Sequence, residues 1–93
     1  MTTFLSIWRG TVPAPKPKVA EVITEVAQRH GLTLADLVGP DRSHAVSRIR
    51  AEALYEARAI TGASYPLIGR IARRDHTTVL HHCDAHARRI GAA

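Results

Sequence analysis

The run Arg73-Arg74-Asp75-His76-Thr77-Thr78-Val79-Leu80-His81-His82 sets guanidinium groups, a carboxylate, imidazoles and hydroxyls where a turn opens into a helix. A helix N-terminus carries unpaired N–H groups and the positive end of the dipole, so it attracts phosphate. Threonine hydroxyls donate to phosphates or bases, and a threonine methyl or imidazole edge packs on the thymine methyl group. A carboxylate accepts from the cytosine amino group. Asp75 also has the type and place of an N-cap, and the sequence leaves both roles open. Just upstream, Ser64-Tyr65-Pro66-Leu67-Ile68-Gly69 reads as a short helix that Ser64 caps, with Pro66 in the first turn where its missing N–H costs nothing. Two helices joined by a tight turn, the second led by polar side chains, make the pattern of a helix-turn-helix. Its second helix enters the DNA major groove.

The elements that must hold this constellation are readable from apolar spacing. Val19, Val22, Ile23 and Val26 form one stripe, which predicts a helix from Lys18 to His30 with Gly31 as its left-handed stop. Thr33 caps a short helix through Leu34-Ala35-Asp36-Leu37, ended by Gly39-Pro40. Asp41 to Ser47 reads as a polar loop carrying Arg42 and His44. A longer helix is predicted from Ser47 to Thr61, with Ile49, Ala53, Leu54, Ala57 and Ile60 facing inward and Gly62 ending it. The helix begun at Ser64 ends near Ala72. The last starts at Asp75 or His76 and reaches Arg89, with Val79, Leu80, Cys83, Ala87 and Ile90 inward. This leaves His76, Thr77, Thr78 and His81 to face a ligand.

Only four of the 93 residues are aromatic, so the core is expected to be aliphatic and helical. The fold class is all-α: a small helical bundle containing a helix-turn-helix, with an extended N-terminal tail. The tail covers residues 1–17 and the DNA-binding domain 18–93. Within the tail, Phe4-Leu5-Ser6-Ile7-Trp8 is an apolar cluster, and Pro13-Ala14-Pro15-Lys16-Pro17 favours an extended polyproline II spacer. The cluster either folds back onto the domain or docks on a protein. The candidates for docking through Phe4, Leu5, Ile7 and Trp8 are RNA polymerase, a sigma-like factor or a replication protein.

The formal charge of +5 favours a polyanionic partner, with double-stranded DNA first and an anionic membrane surface second. No run approaches the roughly 20 apolar residues of a membrane span, and the N-terminus lacks the pattern of a signal peptide. Cys83 is the only cysteine, so no intrachain disulfide forms. A cytoplasmic, nucleoid-associated protein is expected.

Arginines complete a clamp around the helix pair. Arg42, in the loop, is free to reach a neighbouring minor groove. Arg48, Arg50 and Arg58 are placed to contact phosphates from the long helix, while Arg70, Arg73 and Arg74 flank the turn. His82 and His86 have zinc-chelating spacing beside Cys83, but Cys83 falls on the apolar stripe and no second cysteine or carboxylate completes a set. No metal or cofactor is expected. Catalysis is not expected either, because adjacent helix residues such as Asp75 and His76 do not face each other and Cys83 is predicted to be buried.

From Val19 to Ile90 the chain resembles the C-terminal DNA-binding domain (domain IV) of the bacterial replication initiator DnaA. The residues that carry the resemblance are Arg50, Ala53-Leu54-Tyr55, Arg58, Thr61, Ser64-Tyr65-Pro66-Leu67-Ile68-Gly69 and Arg74-Asp75-His76-Thr77-Thr78-Val79-Leu80-His81. The last string is the most specific. The resemblance implies recognition of a short, asymmetric DnaA-box-like duplex. Asp75, His76, Thr77 and Thr78 would read bases in the major groove and Arg42 would enter the minor groove. Arg50 and Arg58 would hold phosphates, and Ser64 and Tyr65 would offer backbone N–H groups to the sugar-phosphate chain.

Three departures stand out. Between its Ile-Gly and its Arg-Asp-His-Thr-Thr string the family usually has a Gly-Gly pair and one more residue than here; the link in this chain, Arg70-Ile71-Ala72-Arg73, is shorter and without glycine, so a different angle between the two helices is expected. Ala51 stands where the family commonly has Gln. No Gly-x-x-x-x-Gly-Lys-Ser/Thr string of a nucleotide-binding module occurs in the 93 residues. A reading head without the ATP-driven motor implies a bacterial or prophage-like transcription regulator, of the kind seen in activators of gene transfer agents. The alternatives are a replication-control protein that competes for DnaA-box-like sites and an interaction adaptor acting through its tail.

Overall fold

Each helix starts at a residue whose side chain or backbone can satisfy an otherwise orphaned N–H group. The computed structural model describes residues 18–40 and 43–91. The tail (with Phe4, Leu5, Ile7 and Trp8) and Arg42 lie outside the described residues. In chain order the helices are α1 (Val19–Arg29), α2 (Leu34–Val38), α3 (His44–Thr61), α4 (Tyr65–Ala72) and α5 (His76–Arg89). No strand occurs among the described residues. The bundle is all-α, and α4 and α5 form its helix-turn-helix.

Local chemistry sets the boundaries. At the end of α1, Gly31 takes φ 74°; its N–H donates to the Gln28 carbonyl at 3.1 Å and that of Leu32 to the Ala27 carbonyl at 2.8 Å. This is the paired closure that a left-handed glycine permits. Thr33 and Asp36 cap α2 reciprocally: the Asp36 N–H donates to Thr33 Oγ1 at 3.2 Å and the Thr33 N–H to Asp36 Oδ2 at 2.9 Å. The helix α3 starts at His44 rather than Ser47, because the Ser43 hydroxyl accepts the Val46 N–H. Ser47 offered the same capping chemistry one turn later, and spacing alone does not separate two such serines.

The core sits around α3, which packs against α1 on one side and α5 on the other. Ala53, Leu54 and Ala57 meet Val22, Ile23 and Val26 of α1, Leu37 of α2, Ile68 and Ala72 of α4, and Val79 and Cys83 of α5. Three expected core residues are instead outside: Ile60 is 49% exposed, Leu80 44% and Ile90 54%. Ile60 and Ile90 fall at the last turn of α3 and the C-cap of α5, beyond the packed section. Leu80 lies one residue round from Val79 and lines a shallow hollow with Tyr55, Arg58 and Tyr65. In their place Ala51 is buried.

Across the α1–α3 contact, Arg29 makes a two-pronged pair with Glu56 (2.8 and 2.9 Å) and a 3.2 Å bond to Glu52. His30 Nε2 lies 3.0 Å from the other Glu52 oxygen. The Arg29 hydrogen bonds hold the Glu56 carboxyl below the ordinary carboxylate range.

The α4–α5 approach depends on Gly69. A Cβ there would lie 2.5 Å from the Arg74 carbonyl oxygen, a backbone atom that cannot swing away. Gly69→Ala is therefore expected to lower the unfolding free energy by about 1–3 kcal/mol, whereas Leu80→Ala, at a half-exposed site, should cost under about 1 kcal/mol; urea denaturation measures both. The depressed Glu56 pKa adds stability that is complete above the ordinary carboxylate range and disappears as the pH falls through the folded value. The gap in urea midpoint between wild type and Glu56→Gln should accordingly narrow as the pH falls from neutral to below the ordinary carboxylate range.

Candidate nucleic-acid interface

The turn between α4 and α5 contains three residues, Arg73, Arg74 and Asp75, and each has a separate backbone or side-chain task. Arg73 takes the left-handed conformation (φ 58°, ψ 42°), which lets the Arg74 N–H close α4 onto the Gly69 carbonyl at 2.8 Å. Glycine is the usual residue for that conformation, so Arg73 does here what the family's glycines would do. Asp75 caps α5, its Oδ2 accepting the Thr77 N–H at 3.1 Å. That backbone bond, the Thr77 hydroxyl and then His76 pull the Asp75 carboxyl below its ordinary range. At neutral pH Asp75 is a cap and an exposed, ionised acceptor at once, so the two roles left open by the sequence are compatible in one geometry.

Helical spacing divides α5 into a front and two flanks. Thr77 and His81 are exposed on the front, one turn apart, with Asp75 and His76 exposed at the amino end. The His76 ring lies 3.7 Å from the Asp75 carboxylate. Further along the front, Asp84 pairs with Arg88 at 3.1 Å. Thr78 does not join this group: it is half-buried and turns onto one flank, where His82 follows it.

That flank is the wall of a cleft of 640 Å³. Its other walls are Val38, Gly39 and Pro40 from the end of α2, Ser47 and Arg50 from α3, and Arg73 and Arg74 from the turn. Only 4% of Arg50 is exposed, and its Nε donates to the Leu37 carbonyl at 2.6 Å. Arg74 donates to Gly39 at 2.7 Å, Ala72 at 3.1 Å and Val38 at 3.2 Å. The sequence places Arg50 and Arg74 against DNA phosphates; in the structure both guanidiniums hold the unpaired carbonyls at the C-terminus of α2, where cations are favoured. Their charge still reaches the cleft, while Arg73 is exposed at its rim.

On the opposite flank, Arg58 donates to the Ala63 carbonyl at 2.7 Å and lies 4.7 Å over the Tyr65 ring. Ser64 caps α4 through the Leu67 N–H at 3.3 Å, so Arg58, Ser64 and Tyr65 form one patch beside Leu80. Arg70 is exposed on α4. Arg48 belongs to neither group: it lines a separate groove with His30, Glu52, His86 and Arg89, away from the amino end of α5.

His82 and Ser47 are the cleft residues that the phosphate assignment passed over. The signal was present in the four-residue step from Thr78 to His82. His82 and His86 diverge, the one into the cleft and the other onto the Tyr55 ring at 5.0 Å. Among the described residues no group of three or more His, Cys, Asp or Glu side chains is placed to hold a metal ion. Cys83 is buried, and burial pushes its thiol up in pKa. No described helix is long and apolar enough to cross a membrane.

Residues 19–85 match the family model described as the bacterial dnaA protein helix-turn-helix. The chromosomal replication initiator protein DnaA of Cereibacter sphaeroides is 39% identical over 67 residues, covering 71% of this chain and 15% of the relative. The DnaA protein of Bifidobacterium animalis subsp. lactis is 43% identical over 67 residues, 71% of this chain and 12% of the relative. That of Symbiobacterium thermophilum is 37% identical over 86 residues, 88% of this chain and 19% of the relative. The chain thus spans less than a fifth of the length of these relatives. No solved structure matches.

The two kinds of arginine separate in a stability measurement. Arg74→Ala leaves the Gly39 and Val38 carbonyls without their donor and should cost about 1–3 kcal/mol. Arg73→Gly relieves the left-handed residue and should raise stability by up to about 1 kcal/mol, both read from urea unfolding.

Proposed function

Because the chain belongs to the bacterial DnaA helix-turn-helix family, we propose that it is a sequence-specific reader of double-stranded DNA that acts in transcription control. The observation that carries this reading is the exposed amino end of α5, with Asp75, His76 and Thr77 together and His81 one turn on. Asp75 supplies an ionised acceptor for a cytosine amino group, Thr77 a hydroxyl and methyl, and the imidazoles donor edges. The cleft on one flank and the Arg58–Ser64–Tyr65 patch on the other lie where the two backbones bounding a major groove would run. Thr78 then serves the phosphate side rather than the bases. Arg42, eight residues before Arg50 in sequence, remains the minor-groove candidate that the resemblance implies.

Regulation by occupancy needs only such a reading head. The Phe4, Leu5, Ile7 and Trp8 cluster on its proline-rich spacer supports a docking peptide for RNA polymerase or a sigma-like factor. A nucleoid location in the cytoplasm follows from this role. Non-enzymatic action is part of the same reading: a capped Asp75, a solvated His76 and a buried Cys83 give no convergent set. Replication control is the second reading, favoured by the 37–43% identity to chromosomal replication initiators across the reading head, which would let the chain compete for their sites.

Selection of binding sites from random duplexes should return one short asymmetric sequence. Thr77→Ala should then cost about 1–3 kcal/mol on that site and little on a scrambled duplex; equal losses on both would remove base reading from Thr77. A genome-wide occupancy map with peaks at promoters supports transcription control, and peaks confined to the origin support replication control instead.

A further inference from the structure

The arginine-walled cleft holds an imidazole that makes no hydrogen bond or ion pair with the described residues. His82 is half-buried on the cleft flank of α5, one turn after Thr78. The charged groups that act on it are basic: Arg50 from α3 and Arg74 from the turn across the cleft, with Arg89 and His81 along α5. Arg73 stands at the rim, and no carboxylate lines the cleft among the described residues. The arginines cannot lose their charge. His82 is the one group in the cleft that can respond to an incoming anion by changing its own.

Resting on the DNA-reading proposal above, we propose that His82 is a backbone contact which grips a phosphate crossing the cleft as an imidazolium, so that DNA binding takes up a proton. In the free protein, burial and the surrounding positive charges lower the His82 pKa below its ordinary value, and the ring is neutral at neutral pH. A phosphodiester in the cleft brings the missing negative charge against Arg73, Arg74 and His82 together. It offsets the repulsion and supplies an acceptor for a ring N–H. The neutral ring presents one N–H, and the protonated ring presents two. The bound state therefore carries the higher His82 pKa, and linkage requires affinity to rise as the pH falls between the bound and free values. Thr78 and His82, a turn apart on one flank, would follow the same strand, extending the phosphate track beyond the turn arginines.

The test is fluorescence anisotropy of the whole chain on a short duplex carrying the selected site, at fixed ionic strength, from about pH 8 to pH 6. The wild type should tighten by about three- to tenfold across that range. Both His82→Ala and the shape-preserving His82→Gln should bind with most of that dependence gone. His30→Ala and His86→Ala, whose rings lie against Glu52 and Tyr55 away from the cleft, should retain it. Circular dichroism on each variant checks that the bundle is intact, and the His82 ring resonances, followed by NMR, should show its pKa rising when the duplex is added. Wild-type binding whose pH dependence survives both His82 substitutions, or a His82 ring pKa unmoved by DNA, overturns this inference alone. No binding of the wild type to the selected duplex at any pH overturns the DNA reading and this inference with it.

Discussion

The last carbonyls of the short helix α2 have no partner within their own helix, and two arginines from distant parts of the chain supply one. Arg50 bonds Leu37 from α3, and Arg74 bonds Val38 and Gly39 from the α4–α5 turn. A five-residue helix contributes little stability by itself. Its open end nevertheless fixes where the turn sits relative to α3. The amino end of α5 then follows from the turn, because Gly69 lets the Arg74 backbone close against α4. Charge that a surface reading gives to DNA is used first to orient the reading helix.

This arrangement also distributes charge usefully. The acidic residues of α3, Glu52 and Glu56, face α1, where Arg29 and His30 occupy them. The cleft side of α3 carries Ser47 and Arg50. A helix with both signs thus turns its acids to α1 and Arg50 to the cleft, whose charged lining among the described residues is Arg50, Arg73 and Arg74. The exposed Asp75 stands at the amino end of α5, where its carboxylate caps the helix.

Much of the fold was legible because helix stops and starts are local. Gly31, Gly62, Thr33, Ser64 and Asp75 announce themselves by type, and the Val19–Val26 stripe by period. The errors share a cause: periodicity names a face but not how much of it a neighbour covers. Ile60 and Ile90 continue apolar stripes past the point where packing ends, and Leu80 lies at the edge of its stripe, one residue round from Val79. In the site, the exposed amino end of α5 was visible in the string from Asp75 to Thr77, whereas the turn of Thr78 onto the cleft flank was not. The bonds of Arg50 and Arg74 to the end of α2 were not legible, because no pattern in their own segments shows that α2 has carbonyls to satisfy. His82 was overlooked because its partners in the cleft come from three other segments. The shortened link after Gly69 carried a readable warning, and the structure resolves it by placing Arg73 in the left-handed region.

Whether the amino end of α5 is the surface that meets DNA can be read residue by residue. Titrating a selected duplex into isotope-labelled protein and following amide resonances should move Asp75, His76, Thr77 and Thr78 most, with Ser64 and Tyr65 on one side and Ser47 on the other. Shifts concentrated on the outer face of α1, around Arg29, with the start of α5 unchanged, would overturn the account.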